Sequence, residues 1–197
     1  MLLDPDQLDA LQEIINIGIG NASKPLSELT QSHVELQVPN IKMINPSELE
    51  AALNGLHADS IAVIEMGFDG ASKGKGMLAF PKEDALELVE VLAGEKLGTP
   101  DMDSLKVGIL TEFGNIILGQ FFSAVGNFLR VHFKLGLPVY EEGEVASMLL
   151  SGKPKEDSLI IVVTTQFKIR KLMTEGKIFV LFNVESLPKL IDAIENL

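Results

Sequence analysis

A repeat of 99 residues, about half of the 197-residue chain, constrains this sequence more than any other feature. Shifted by that offset, DPDQLDALQEIINIGIG from Asp4 falls on DSLKVGILTEFGNIILG from Asp103, and HVELQVP from His33 falls on HFKLGLP from His132. The identities are Asp4/Asp103, Leu11/Leu110, Glu13/Glu112, Asn16/Asn115, Ile17/Ile116, Gly20/Gly119, His33/His132, Leu36/Leu135 and Pro39/Pro138. These nine fall within 36 residues, where ordinary residue usage gives about two. Further on, Phe68 meets Phe167, and after a small insertion GMLAF at Gly76–Phe80 resembles KIFVLF at Lys177–Phe182. We read two pseudo-equivalent halves, residues 1–98 and 99–197, joined near Gly94–Pro100 within one domain of residues 1–197.

Each half reads alike. Asp4, or Asp101 and Asp103, is placed to cap a long helix, with Pro5 suited to the first turn of the first one. Leu8, Leu11, Ile15 and Ala22 recur at helical spacing, as do Leu105, Ile109, Phe113, Ile116 and Phe121. Pro25 predicts a kink or an end about a turn earlier in the first helix; the second has no such interruption. His33–Pro39 and His132–Pro138 alternate as half-buried strands. Asn45-Pro46-Ser47-Glu48 opens a short helix. Ser60–Phe68 with Gly76–Phe80, and Ser158–Phe167 with Lys177–Phe182, predict two hairpins, and helices over Lys82–Ala93 and Ser186–Asn196 close the halves. The expected fold is α+β: two pseudo-symmetric α/β repeats in one sandwich, sheet on one layer and helices on the other.

Composition removes several functions. With 16 basic and 28 acidic residues the net charge is −12, which repels phosphate backbones and anionic lipid, so neither nucleic acid nor membrane is expected as a partner. The absence of cysteine removes disulfides, thiol nucleophiles and thiolate metal sites. His33, His57 and His132 are the whole histidine complement, two of them opening equivalent strands, so no metal site is expected. Gly18-Ile19-Gly20 lacks the third glycine and preceding strand of a dinucleotide site, and Gly70–Gly76 reads as a hairpin turn. The acidic N-terminus does not resemble a signal peptide, and no apolar run approaches the ~18 residues that cross a bilayer. A cytoplasmic location is expected.

On the first helix Asp9, Glu13, Asn16 and Gly20 fall at i, i+4, i+7 and i+11, one polar stripe opposite the apolar face. The second helix places Gly108, Glu112, Asn115 and Gly119 at the same points. A lone Glu-x2-Asn is an ordinary solvated helix face; its return with the same downstream strand and proline is not. A glycine inside a helix costs about 1 kcal/mol, so Gly20 and Gly119 beside the polar pair suggest a close approach to the backbone there.

The pattern Asp/Ser-x3-Glu-x2-Asn-x22-Pro resembles the active-site signature of the CheC/CheX/FliY phosphatases of bacterial and archaeal chemotaxis. Asp9, Glu13, Asn16 and Pro39 fit at every spacing; Glu112, Asn115 and Pro138 fit the second copy, with Gly108 where Asp or Ser belongs. Two copies in a chain of this length are similar to the CheC type. The resemblance implies a sandwich with two exposed long signature helices and hydrolysis of the aspartyl phosphate of the chemotaxis response regulator CheY. It implies that Asn16 and Asn115 orient the attacking water, that Glu13 and Glu112 dock on the receiver, and that Asp9, Pro39 and Pro138 serve docking or structure. No cofactor is implied for this chain, because the receiver itself supplies Mg²⁺ and a lysine. The resemblance also implies alternatives: an adaptor of little activity that binds the receptor deamidase CheD or the flagellar switch, or a phosphatase for another two-component receiver.

Overall fold

The computed structural model describes residues 5–54, 56, 58–70, 73–93, 102–128, 130–144, 159–169 and 172–182. Along these the order is α1 (Pro5–Asn21), α2 (Ser23–Thr30), β1 (Val34–Ile44), a 3-10 turn (Pro46–Glu48), α3 (Leu49–Asn54), β2 (Ser60–Gly70), β3 (Gly74–Pro81), α4 (Lys82–Ala93), α5 (Met102–Phe128), β4 (Phe133–Leu135), β5 (Val139–Glu144), β6 (Leu159–Ile169) and β7 (Leu172–Phe182). The expected caps Asp4 and Asp101, the join near Gly94–Pro100 and the closing helix Ser186–Asn196 lie outside the described residues. Asp103 falls within the first turn of α5 and is not its cap.

The first long helix ends where its proline requires. Pro25 has no N–H to give the carbonyl four residues back, and α1 stops at Asn21. Ala22 instead donates to the Ile19 carbonyl at 2.9 Å, and α2 starts at Ser23. The equivalent stretch of the second half is one unbroken helix, α5, of 27 residues. Both stretches finish on the same cap. Gln31 and Arg130, 99 positions apart, take left-handed φ of 48° and 52°. The N–H one residue later reaches back to an equivalent carbonyl, Ser32 to Ser27 at 3.2 Å and Val131 to Gly126 at 2.9 Å.

The strands form one antiparallel sheet in the order β1-β6-β7-β3-β2, with β4 and β5 in succession along the outer side of β2. The halves exchange edges: β1 of the first half pairs with β6 of the second, and β4 and β5 of the second pair with β2 of the first. The pseudo-two-fold axis therefore passes between β3 and β7, which pair directly. Register repeats as well, since Leu36 faces Phe167 and Leu135 faces Phe68.

In both edge strands one extra residue enters beside the proline. Gln37 faces Gln166 and Asn40 faces Thr164, while Leu135 faces Phe68 and Val139 faces Glu65. A proline cannot donate to a ladder, so an edge bulge is where a sheet accommodates it. The extra residue flips the side-chain alternation. Val34 and Leu36 before the bulge and Val38 within it face the helices, and Ile41 and Met43 return to that face after it.

Most of the core lies between this face and helices α1, α2, α4 and α5: Leu11, Ile15, Ile19 and Leu26 pack with Phe113, Ile117, Phe121 and Phe122 on Ile64, Phe68, Phe80 and Phe167. A smaller core of Leu49, Leu53, Ile61, Val63, Val162 and Phe179 lies on the other face, under α3. The helix layer sits close, because an added Cβ at Gly114 would stand 2.5 Å from Ile64 and one at Gly18 would stand 2.1 Å from Ala124. The segment Ser104–Phe128 is long and apolar enough, by length and composition, to cross a membrane, contrary to the expectation of no such run. Its burial of Leu110, Phe113, Ile117, Leu118, Phe121, Phe122 and Val125 in this core accounts for that composition. Leu105 departs from its expected core position and is 48% exposed, since Lys106, Leu110 and Phe113 take the inward face of α5 and Leu105 lies on the outward one with Gly108 and Glu112.

Candidate functional site

Both polar stripes lie on the outer surface of the helix layer. Asp9, Glu13 and Asn16 on α1 are exposed, as are Gly108, Glu112 and Asn115 on α5. The reason is amphipathic spacing: Leu11, Ile15 and Ile19 turn one side of α1 inward, and Leu110, Phe113, Ile117 and Phe121 do the same for α5. Open space surrounds the Cβ position at Gly20, Gly108 and Gly119 among the described residues. None of the described residues makes a close approach at these glycines.

The first stripe is tied to the proline bulge. The Val38 N–H donates to Asn16 Oδ1 at 3.3 Å, across 22 positions of sequence. Val38 lies in the register shift between Gln37 and Asn40, and it precedes Pro39, which holds it extended. Only an oxygen can accept from that N–H, so the contact fixes which way the amide points: the Asn16 Nδ2 group is turned away from the strand. The spacing between asparagine and proline thus has a physical meaning, because the proline makes the bulge whose N–H orients the amide.

The second stripe is built differently. The Asn115 side chain has no hydrogen-bond partner among the described residues. The strand that should meet it is interrupted, with β4 ending at Leu135 and β5 starting at Val139, so the expected strand over His132–Pro138 is corrected to Phe133–Leu135 alone, with half-buried Pro138 in the gap before β5. Leu137, the counterpart of Val38, is 89% exposed where Val38 is 6% exposed. Between α5 and β4 a cleft of about 280 Å³ opens beside Gly119, Phe122, Ser123 and Phe133.

A charge cluster around one buried lysine, which the sequence did not reveal, holds β5 to the helix layer. Lys106 Nζ, its side chain only 8% exposed on the sheet side of α5, donates to Glu142 Oε2 at 2.7 Å. The Tyr140 hydroxyl donates to the same oxygen at 2.8 Å, and Lys82 Nζ stands 3.2 Å from Oε1. The Lys106 hydrogen bond, joined by those of Tyr140 and Lys82, outweighs desolvation and draws the Glu142 carboxyl down to about 2. The only sign in the sequence was a lysine on an otherwise apolar helix face; its partner 36 positions away could not be inferred from periodicity.

Known proteins place this arrangement. The chemotaxis phosphatase CheX family model matches residues 61–162, and the CheC-like family model matches residues 7–43. The chain is 25% identical over 140 residues to the CheY-P phosphatase CheC of Bacillus subtilis, covering 68% of this chain and 65% of that protein. It is 20% identical over 190 residues to the flagellar motor switch phosphatase FliY of the same organism, covering 95% of this chain and 49% of that protein. The chain thus spans between about half and two thirds of the curated relatives it matches. Among solved structures, Thermotoga maritima FliY superposes with a TM-score of 0.77 at 17% identity, over 100% of this chain and 99% of that one, which shows a shared fold. With the CheX model spanning more than half of its residues, the chain belongs to the CheC-type chemotaxis phosphatase family.

Proposed function

We propose that this protein is a phosphatase for a phosphorylated receiver domain of the CheY type. The observation that carries the reading is the asparagine amide held by a strand N–H with its nitrogen turned outward, on an exposed helix. Hydrolysis of an aspartyl phosphate needs a water in line with the leaving carboxylate. The water oxygen bonds to phosphorus, the bond to the aspartyl oxygen breaks, and inorganic phosphate leaves with the water's protons shared between it and solvent. The receiver supplies the Mg²⁺ that neutralises phosphoryl charge, and a carboxamide adds orientation without itself titrating. In this scheme Asn16 and Asn115 orient the water, and Glu13 and Glu112, one turn earlier, pair with a receiver cation. Asp9 contributes to docking, Pro39 and Pro138 shape the bulges, and the chain works in the cytoplasm.

The test is phosphate release from CheY charged by a small acyl phosphate with Mg²⁺, with wild type and with the Asn16→Ala/Asn115→Ala double variant. Acceleration by wild type, lost in a double variant of unchanged circular dichroism, is expected. A double variant as fast as wild type removes the amides from the mechanism.

A second reading is favoured by the unheld Asn115 and by Gly108 in place of an acid. In it the second half serves as a binding surface for CheD or for the flagellar switch, in which the relative FliY is named. A stable co-purifying complex with a chain devoid of phosphatase activity would support it. A receiver from a pathway other than chemotaxis would be revealed by the same release assay run on other regulators.

A further inference from the structure

Resting on the phosphatase reading, we propose that the two sites seat their receiver by different forces, and that Leu105 is a specificity-determining residue of the second site. Leu29 of α2 and Ser104, Leu105, Gly108, Ile109 and Glu112 of α5 line an open groove of about 570 Å³. Leu105 is 48% and Leu29 is 42% exposed, and nothing among the described residues stands within 4 Å of a Cβ built on Gly108. Glu112 belongs both to this groove and to the Glu112–Asn115 stripe, so a partner seated on the stripe covers the groove as well.

The first site differs at the matching positions. Asp6, Asp9 and Glu13 stand where the second has Leu105, Gly108 and Glu112, and all three carboxylates are exposed. One site presents three negative charges over about two turns; the other presents one charge between two leucines. Among the described residues Ile17 gives the first site an exposed apolar side chain at its catalytic end. The occupant of the second groove is therefore a receiver domain that sets an apolar side chain about 15 Å along α5 from its phosphorylated acid and a base against Glu112. The first site selects a receiver face rimmed with bases. Charge-driven docking is screened by salt, whereas burial of apolar surface is not.

The test uses two single-site proteins, Asn115→Ala for the first site and Asn16→Ala for the second, with acyl-phosphate-charged CheY and Mg²⁺ as substrate. Adding Leu105→Ser to the second-site protein should raise KM about tenfold with kcat unchanged, the loss expected for an unburied leucine side chain. The same change in the first-site protein, and Leu86→Ser on α4 in either, should alter nothing. Raising salt from about 0.05 M to about 0.5 M should raise KM several-fold for the first site and less than about twofold for the second. An unchanged KM in the second-site protein bearing Leu105→Ser overturns the inference, as do equal salt responses. So does an inactive Asn16→Ala protein beside an active wild type; in each of these cases the phosphatase reading stands. An inactive wild type overturns both.

Discussion

Gly119 sits in the middle of the 27-residue helix α5 with open space where a Cβ would go. Replacing it by alanine removes a helix penalty of about 1 kcal/mol and adds no clash, so the fold should gain about that amount. For a chain of this size the thermal midpoint should rise by about 2–4 °C. Gly20→Ala, one residue from the end of α1, should gain about half as much, because the last turn frays. Gly114→Ala in α5 provides the opposite sign, since its Cβ would stand 2.5 Å from Ile64 of β2; overpacking there should cost about 1–3 kcal/mol. The midpoints are read by circular dichroism, and phosphate release is read beside them. If the glycine keeps the helix face clear for a partner, Gly119→Ala gains stability and loses phosphatase activity together. A less stable Gly119→Ala protein refutes the open face, and a more stable protein of full activity refutes the close approach.

Other outcomes follow from the same geometry. Glu142 is held ionised by Lys106, Tyr140 and Lys82. Its folded value lies below its unfolded one, so its contribution is present above the ordinary carboxylate value near pH 4.5 and is lost as pH falls through about 2. Because the side chain is a third exposed, the contribution is on the order of 1–2 kcal/mol after screening; urea midpoints between pH 5 and pH 2 should fall less steeply in Glu142→Gln than in wild type. Val38→Ala should cost about 2 kcal/mol in urea unfolding, whereas Leu137→Ala, its exposed counterpart, should stay within about 0.5 kcal/mol. Equal costs would contradict the different seating of the two edge strands.

The repeat made much of this legible. Because one offset relates the halves, helix spacing, the Pro25 break, the equivalent strands and the Lys82–Ala93 helix could be read locally, and the left-handed caps at Gln31 and Arg130 fall at that same offset. The edge exchange could not be read, since alternation fixes which face a residue occupies and not which strand it pairs with. The matching prolines also concealed a difference: Val38 seals against the helix layer and Leu137 does not, although both precede a proline in an alternating run. Leu105 can be read into the apolar period of α5 and is nevertheless exposed, because the inward face is phased one residue later and begins with the polar Lys106. For the candidate site, the sequence supplied Glu13, Asn16, Glu112 and Asn115 on exposed helix faces, and the structure added the Val38 N–H that orients one amide.

The most direct measurement replaces Asn16 and Asn115 together by aspartate and follows the decay of phosphorylated CheY at saturating protein. At position 16 aspartate keeps the oxygen that accepts from Val38, and at both positions it replaces the outward amide donor with a negatively charged acceptor. The account predicts a thermal midpoint close to that of wild type and a rate lower by about a hundredfold or more, the scale on which a misoriented group costs catalysis. A folded double variant that dephosphorylates CheY as fast as wild type would contradict it.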